Sequence, residues 1–396
     1  MEEWKEYRLG EVCTELSDGL HKAPKFKMGG DYIFVNAKNI VDGFIVDNDP
    51  TKKSTREEYL KYASPLNDTS ILYSIDGTIG NVALYRGEKC ILGKGACYMN
   101  PNPKMLDRMF LYYELQSPRF KSYIYQMSTG STIKHISLKT MRGYNITLPS
   151  IDTQLQISSI LSSLDDKIAI NKKICENLEA QAQALFKHWF VDFAPFKDGK
   201  FVESELGLIP EGWRVGNLFD IASIFDKIRK PLSGKDREYM NKIYPYYGAT
   251  SCMDYVDSYL FDGIYTLIGE DGSVAKEDGL PYMQYVWGKF WVNNHAHILQ
   301  GKNGFSTEMV HVFLSRYNIK HLVTGAVQAK LSQANMQKII LPIPPKDEIN
   351  KIRSVIDSLY EMIRNCEEES ARLASLRDTL LHKLMSGEIK VNEITL

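Results

Sequence analysis

Two stretches of the chain place apolar residues at alternating spacings of four and three. The first runs through Ile157, Leu161, Leu164, Ile168, Asn171, Cys175, Leu178, Ala182 and Leu185, with one asparagine on the stripe. The second runs through Ile352, Ile356, Leu359, Ile363, Cys366, Ser370, Leu373, Arg377 and Leu380. It is weaker at Ser370 and Arg377, where Leu376 is the candidate to take over. Side chains spaced this way return to one face of a helix, so the pattern predicts two long helices. Each would be roughly 35 residues, about 50 Å at a rise of 1.5 Å per residue. Thr153-x-x-Gln156 supplies a capping box for the first, just after Pro149 closes the strand-like run Tyr144–Leu148. Ser386-Gly387 is a natural stop for the second. Two similar stripes favour pairing with each other over packing as separate amphipathic helices.

Elsewhere the apolar residues come in short runs. Tyr32-Ile-Phe-Val35, Ile71-Leu-Tyr73, Val82-Ala-Leu-Tyr85 and Phe290-Trp-Val292 are rich in β-branched and aromatic residues and predict strands. Gly77-Thr-Ile-Gly80, Asp262-Gly263 and Asp271-Gly272 predict turns. Ala63–Asp68 and Ala194–Gly199 read as loops, the second connecting two halves.

The chain repeats. Residues 129–186 laid on 324–381, 195 positions on and without a gap, match Thr129-Gly130 with Thr324-Gly325 and Ser137 with Ser332. Met141, Pro149 and Asp152 fall on Met336, Pro344 and Asp347. Ile157, Leu164, Ile168, Leu178 and Leu185 fall on Ile352, Leu359, Ile363, Leu373 and Leu380. The opening of each half matches only loosely, Trp4-Lys-Glu-Tyr-Arg-Leu against Trp213-Arg-Val-Gly-Asn-Leu. A period this long is a duplicated domain pair, not a solenoid. The expected fold class is α/β (α+β): two globular domains joined by two long helices in an antiparallel coiled coil, with pseudo-two-fold symmetry. The divisions are a first domain over 1–150, a helix over 151–193 with a connector over 194–204, a second domain over 205–345 and a second helix over 346–390.

A chain of 396 residues accommodates two or three such domains. Its 44% hydrophobic and 24% charged residues exclude a mainly disordered, collagen-like or mucin-like chain. No apolar run reaches the ~18 residues of a membrane span. The charged opening Met1-Glu-Glu-Trp-Lys-Glu6 has no apolar signal core, so the cytoplasm is the expected location. The six cysteines form no Cys-x-x-Cys pair and read as buried thiols in a reducing compartment. A net charge of −1 does not point to nucleic acid, so any such binding must come from local patches.

Few residues carry a signature of catalytic chemistry. The one Pro-Pro, in Ile343-Pro-Pro-Lys346, lacks the polar and aromatic flanks that hold a flipped base in amino-methyltransferases. Gly87 to Gly93-Lys94 has one residue too many for a phosphate-cradling loop, and reads as a hairpin. Gly93-Lys-Gly95 lacks the third glycine of a dinucleotide fingerprint. His295 and His297 would face one side of a strand and could share a metal, but no third ligand stands at a recognisable spacing. Glu270-Asp271 with Lys276 would suit a magnesium-dependent nuclease, yet acidic turns before glycine are common. No catalytic or metal residue is assigned, and a binding protein is favoured.

Basic clusters are better represented. Lys22, Lys25 and Lys27 stand in a proline-containing loop, and Lys227, Arg229, Lys230, Lys235 and Arg237 crowd a similar place in the second half. Lys52, Lys53, Lys134, His135 and Lys330 add to them. Such groups displace counterions from phosphates, and arginine can read guanine edges. One cluster is an ordinary solvated loop; two, one per variable region, point to DNA.

At these residues the chain resembles the specificity (S) subunits of type I restriction–modification enzymes. Glu205-Leu-Gly-Leu-Ile-Pro-Glu-Gly-Trp213 resembles the opening of their second half, and Leu185-Phe-Lys-His-Trp-Phe-Val-Asp-Phe193 the end of their first long helix. Thr129-Gly-Ser-Thr-Ile-Lys-His-Ile136 resembles their domain-to-helix junction, as does Leu148-Pro149 before a Gln-containing helix start. Gly288–His297 resembles a segment of their target-recognition domains. The resemblance spans the chain and implies two domains that each read half of a split double-stranded DNA sequence. It implies helices that measure the spacer and dock two methylation subunits and two motor–nuclease subunits. S-adenosylmethionine, ATP and Mg would then be bound by those partners, and this subunit would be non-catalytic and bacterial or archaeal. Lys22, Lys25, Lys27 and Lys134 would contact DNA in the first domain, and Lys227, Arg229, Lys230, Lys235, Arg237 and Lys330 in the second. The second helix departs from the pattern, with Ile349 and Lys351 where the first has Gln154 and Gln156. A coiled-coil protein–protein scaffold, which predicts no salt-dependent DNA binding, and a stand-alone nuclease using Glu270 and Asp271 remain the alternatives.

Overall fold

The computed structural model describes residues 4–130, 134–325 and 328–394. Met1–Glu3 of the charged opening and Ser131–Ile133 of the junction motif lie outside the described residues. The chain divides into two compact units, Met1–Ile170 with Glu369–Leu396, and Asn171–Glu368.

In the first unit the strands Cys13–Asp18, Ala96–Pro101, Ile71–Ser74 and Val82–Leu84 lie side by side, each antiparallel to its neighbour. The last three are buried at every residue, so their sequences run apolar without alternation. A smaller sheet, Lys53–Ser54, Tyr32–Val35 and Cys90–Leu92, packs Val35, Cys90 and Leu92 against Leu72, Ala83 and Tyr98. The expected hairpin around Gly87–Gly93 is absent: Cys90–Leu92 within it joins the smaller sheet, and Val82–Leu84 and Ala96–Pro101 on either side are not neighbours in the larger one. Gly93 is there for space: a Cβ would sit 2.4 Å from the Asn36 side-chain oxygen. Lys5–Arg8 pairs with Asn145–Leu148, the strand that leads into the first long helix.

The second unit has a six-stranded sheet in the order Ala222–Ile224, Ala296–Gly301, Phe261–Gly269, Met283–Val292, Tyr244–Tyr247 and Cys252–Val256. Arg214–Asn217 pairs with Ile340–Ile343 ahead of the second long helix, as Lys5–Arg8 does ahead of the first. Asp262-Gly263 is not a turn. It lies inside a strand, with Gly263 (φ 138°) opposite Gly288 (φ 77°), so the ladder continues through backbone conformations closed to other residues. Where a plain connector was expected, Phe201–Ser204 and Gly207–Pro210 form a hairpin. Of its residues only Ile209 and Pro210 are buried, so no alternation announces it. The thiols are not uniformly buried either, since Cys252 is exposed on the edge strand.

The long helices are Ile151–Phe190 and Lys346–Met385, 40 residues each. Ser150 caps the first, its hydroxyl accepting from the Thr153 amide at 3.3 Å, so the cap lies three residues before the expected box. Within the first unit, Ile157, Leu161 and Leu164 share a core with Leu380, Leu381, Leu384 and Met385 and with Leu9, Val12, Phe110 and Ile146 of the globular part. Asp165 meets Arg377 at 2.6 Å and Lys167 meets Glu369 at 3.3 Å, so the two helix segments run antiparallel. Arg377 therefore stays on the seam with a carboxylate partner, and Leu376, the expected replacement, is 42% exposed. Within the second unit, Cys175, Leu178, Ala182, Phe186 and Phe190 share a core with Ile349, Ile352, Ile356, Tyr360 and Ile363. There too the helices are antiparallel: the Asn171 side-chain Nδ2 donates to the Cys366 carbonyl at 3.4 Å and the Cys175 thiol to the Ile363 carbonyl at 3.8 Å. Ile168, Leu185, Leu359 and Leu373 are only half-buried. A helix of 3.6 residues per turn drifts off a strict heptad, and Phe186, Tyr360 and Leu381 take over one position along.

Candidate nucleic-acid interface

The same set of segments meets at one place in each unit. In the first, the strand Ile71–Ser74 leads into the turn at Asp76-Gly77. The Ile136 amide donates to the Ile75 carbonyl (2.9 Å) and the Gly77 amide to the Lys134 carbonyl (3.3 Å). Thr129 and His135 bond each other in both directions at 3.1 and 2.9 Å, closing a loop. In the second unit the Leu331 amide donates to the Glu270 carbonyl (2.8 Å), and the Gly272 amide to the Ala329 carbonyl (2.9 Å). Thr324 and Lys330 bond each other in both directions at 2.9 and 2.7 Å. Every one of these residues stands 195 positions from its counterpart. The repeat thus continues upstream of Thr129, with Leu72 on Leu267 and Asp76-Gly77 on Asp271-Gly272. That short match is the sequence signal for these two turns.

Strand register extends the correspondence. Tyr73 pairs with Cys97 and Ile268 with His297, so Cys97 and His297 occupy the same place. Leu16 pairs with Met99 and Ile224 with Leu299, which puts Asp18 on Asp226 two residues later. Both aspartates meet a nitrogen-bearing side chain three residues on, Asp18 with His21 at 2.9 Å and Asp226 with Arg229 at 3.4 Å. The two basic clusters therefore start from equivalent points of the framework.

The loop after Asp18 is tied down along its backbone. The Leu20 amide donates to the Leu92 carbonyl (2.7 Å) and the Lys27 amide to the Lys53 carbonyl (2.7 Å). The Lys25 amide donates to the Glu58 carboxylate (2.9 Å). The side chains of Lys22, Lys25 and Lys27 are exposed and form no ion pair among the described residues. Lys134 is exposed with its Nζ 4.4 Å from the centre of the Tyr125 ring, itself 73% exposed. In the second unit Lys227, Lys230 and Lys235 are likewise exposed without an ion pair among the described residues. Lys330 is exposed 3.6 Å from Glu270. The arginines differ. Arg237 donates to Asp254 at 2.7 Å and lies over the Tyr246 ring. Arg229 turns inward, its side chain 12% exposed, and bonds the Glu270 carboxylate and the carbonyls of Asp226 (3.0 Å) and Ala296 (2.7 Å).

His295 and His297 do not converge. His295 precedes its strand and bonds Asp271, while His297 is 1% exposed inside the sheet. Its Nε2 donates to the Leu331 carbonyl (2.6 Å), and its Nδ1 lies 2.6 Å from Asp226. Asp226, Glu270 and His297 are close enough to share a metal ion. The Arg229 guanidinium already lies against both carboxylates, so the positive charge this cluster needs is supplied by the chain. Burial pushes the Asp226 carboxyl up, but His297, Gln333 and Arg229 outweigh it and hold it below the usual carboxylate range. Asp226 and Gln333, bonded at 2.7 Å, carry no mark in the sequence that would have singled them out.

What the geometry defines is a pair of α+β units, each presenting exposed lysines beside the same set of backbone bonds. A sequence model described as the type I restriction modification DNA specificity domain matches residues 1–180 and 210–374. The type I restriction enzyme MjaIX specificity subunit of Methanocaldococcus jannaschii is 26% identical over 99% of this chain and 95% of its own length. The type I restriction enzyme HindI specificity subunit of Haemophilus influenzae is 22% identical over 98% of this chain and all of its own. The crystal structure of a type I restriction–modification S subunit from M. genitalium superposes with a TM-score of 0.57 at 20% identity, covering 97% of this chain and 96% of that one. The chain belongs to the type I restriction–modification specificity subunits. Among the described residues, no helix is long and apolar enough to cross a membrane.

Proposed function

We propose that this chain reads a two-part double-stranded DNA target in the cytoplasm, one half-site per unit. The observation that carries the reading is the framework held in common. Two equivalent places, at Asp76-Gly77 with Thr129–His135 and at Asp271-Gly272 with Thr324–Lys330, have the same backbone bonds, while Ala329 and Lys330 stand in the second where Lys134 and His135 stand in the first. A shared frame with divergent faces suits two different half-sites. The exposed lysines position the protein on phosphates, and neighbouring polar side chains read base edges in the major groove. The paired long helices set the unspecified spacer. Their outward faces dock two methylation subunits and two motor–nuclease subunits, which carry S-adenosylmethionine, ATP and Mg. The chain alone transfers no methyl group.

Selection from random duplex DNA by the chain co-purified with its methylation subunit tests this. The expected result is a two-part consensus with a fixed gap. Removing one heptad from each helix is expected to shorten the gap and leave both half-sites unchanged. No enrichment at low or moderate salt from an intact complex would refute the reading and favour a protein–protein scaffold.

A further inference from the structure

The second unit holds a charged cluster, with Asp226 and His297 buried and Arg229 and Glu270 half-buried, where the first unit has apolar side chains at three places. Glu270, His297 and Gln333 stand at the places of Ile75, Cys97 and Leu138. The backbone around them is the same in both units, down to the amide of Ile136 on Ile75 and of Leu331 on Glu270. The fold therefore does not require the charges. Buried ion pairs are in general replaceable by apolar groups at little cost in stability, so their presence here calls for another reason.

The connections supply one. Arg229 ties the loop of Lys227 and Lys230 to the Glu270 turn and to the carbonyls of Asn294 and Ala296. Asp226 joins that loop to His297, to the Ile298 amide and to Gln333 at the base of the Thr324–Lys330 loop. His297 reaches the Leu331 carbonyl of the same loop. Glu270 faces Lys330 with its second oxygen. Each segment that carries an exposed candidate lysine next to this cluster is thereby bonded to it from below.

We infer that the Arg229–Glu270–Asp226–His297–Gln333 cluster is a positioning device for the second unit, holding its loops in one arrangement for reading its half-site. Arg229 and Glu270 are positioning residues and do not touch DNA. This rests on the two-part reading proposed above. The first unit keeps the Asp18–His21 pair but has Ile75, Cys97 and Leu138 in place of Glu270, His297 and Gln333, and holds its loop through the backbone bonds of Leu20, Lys25 and Lys27 instead.

The test uses the full chain with its methylation subunit and duplexes carrying both selected half-sites, or one of them scrambled. Glu270→Gln keeps the shape and removes the charge. Arg229→Lys keeps the charge and loses the planar fork. Gln333→Leu installs the residue the first unit carries, and serves if the other two fail to fold. The expected result is at least a tenfold loss of discrimination at the second half-site, with discrimination at the first half-site and the spacer unchanged. Equal weakening at both half-sites, or second-half discrimination kept within twofold in folded variants, would overturn the inference alone. No two-part consensus from the wild-type complex would overturn the underlying reading and this inference with it.

Discussion

Lys22, Lys25 and Lys27 offer a clean quantitative handle on DNA contact. Their loop is fixed by backbone bonds, and their side chains meet no carboxylate among the described residues. Replacing all three with glutamine removes charge without breaking an internal pair, so stability should stay within about 0.5 kcal/mol per site. Each lysine that neutralises a phosphate contributes about 0.9 to the slope of log affinity against log salt. Three such contacts amount to a slope change of about 2.7. Between 50 and 200 mM salt the wild-type chain should then lose about 40-fold more affinity than K22Q/K25Q/K27Q. Fluorescence anisotropy of a labelled target duplex over four or five salt concentrations measures both slopes. Slopes agreeing within about 0.5, with a folded variant, would refute the assignment of this loop to the phosphate backbone.

Arg237→Gln breaks the pair with Asp254 and the stack on Tyr246, so it should lower the melting temperature of the second unit while leaving the salt slope unchanged. His311 bonds Thr266 through Nδ1 between Tyr285 and Tyr360, and burial brings its imidazole down to about 4. The stabilisation from this depressed value is complete above about pH 6.5 and is lost as pH falls towards 4, about 3 kcal/mol in all. Urea titrations of wild type and His311→Gln from pH 7.5 to 4.5 should therefore converge on the acid side, and parallel pH profiles would contradict it. Leu161→Ala and Ile356→Ala, each at 0% exposure, should cost about 2–5 kcal/mol, seen by calorimetry in the transitions of the first and second unit respectively.

The long helices and the repeat were legible because both signals are sustained. A stripe kept over four heptads outlasts its imperfections, and identities at one fixed offset do not arise from composition. The details failed where a local pattern met a distant residue. Arg229 sits in a run of exposed lysines and reads as one of them, yet Glu270, far along the chain, draws it inward. Asp262-Gly263 has turn chemistry, but Gly288 across the sheet accepts it into a strand. Leu376 is the better hydrophobe beside Arg377, but Asp165 on the other helix gives the arginine a partner and leaves the leucine outside. The His295–His297 spacing suggested a shared site, and the strand boundary falls between them.

The first unit is assembled from two separated pieces of chain, Met1–Ile170 and Glu369–Leu396. Leu380, Leu381, Leu384 and Met385 from the second piece sit in its core beside Leu9, Leu161 and Leu164. On the ribosome the early piece must therefore wait while Asn171–Glu368 is made, roughly 10–40 s at bacterial rates of synthesis. Through that interval the Leu161 and Leu164 face of the helix lacks its cover. The second unit is one uninterrupted stretch and can finish first. The order of synthesis and the order of completion are thus reversed, and a nascent chain stalled before Leu380 would carry a closed second unit and an open first one.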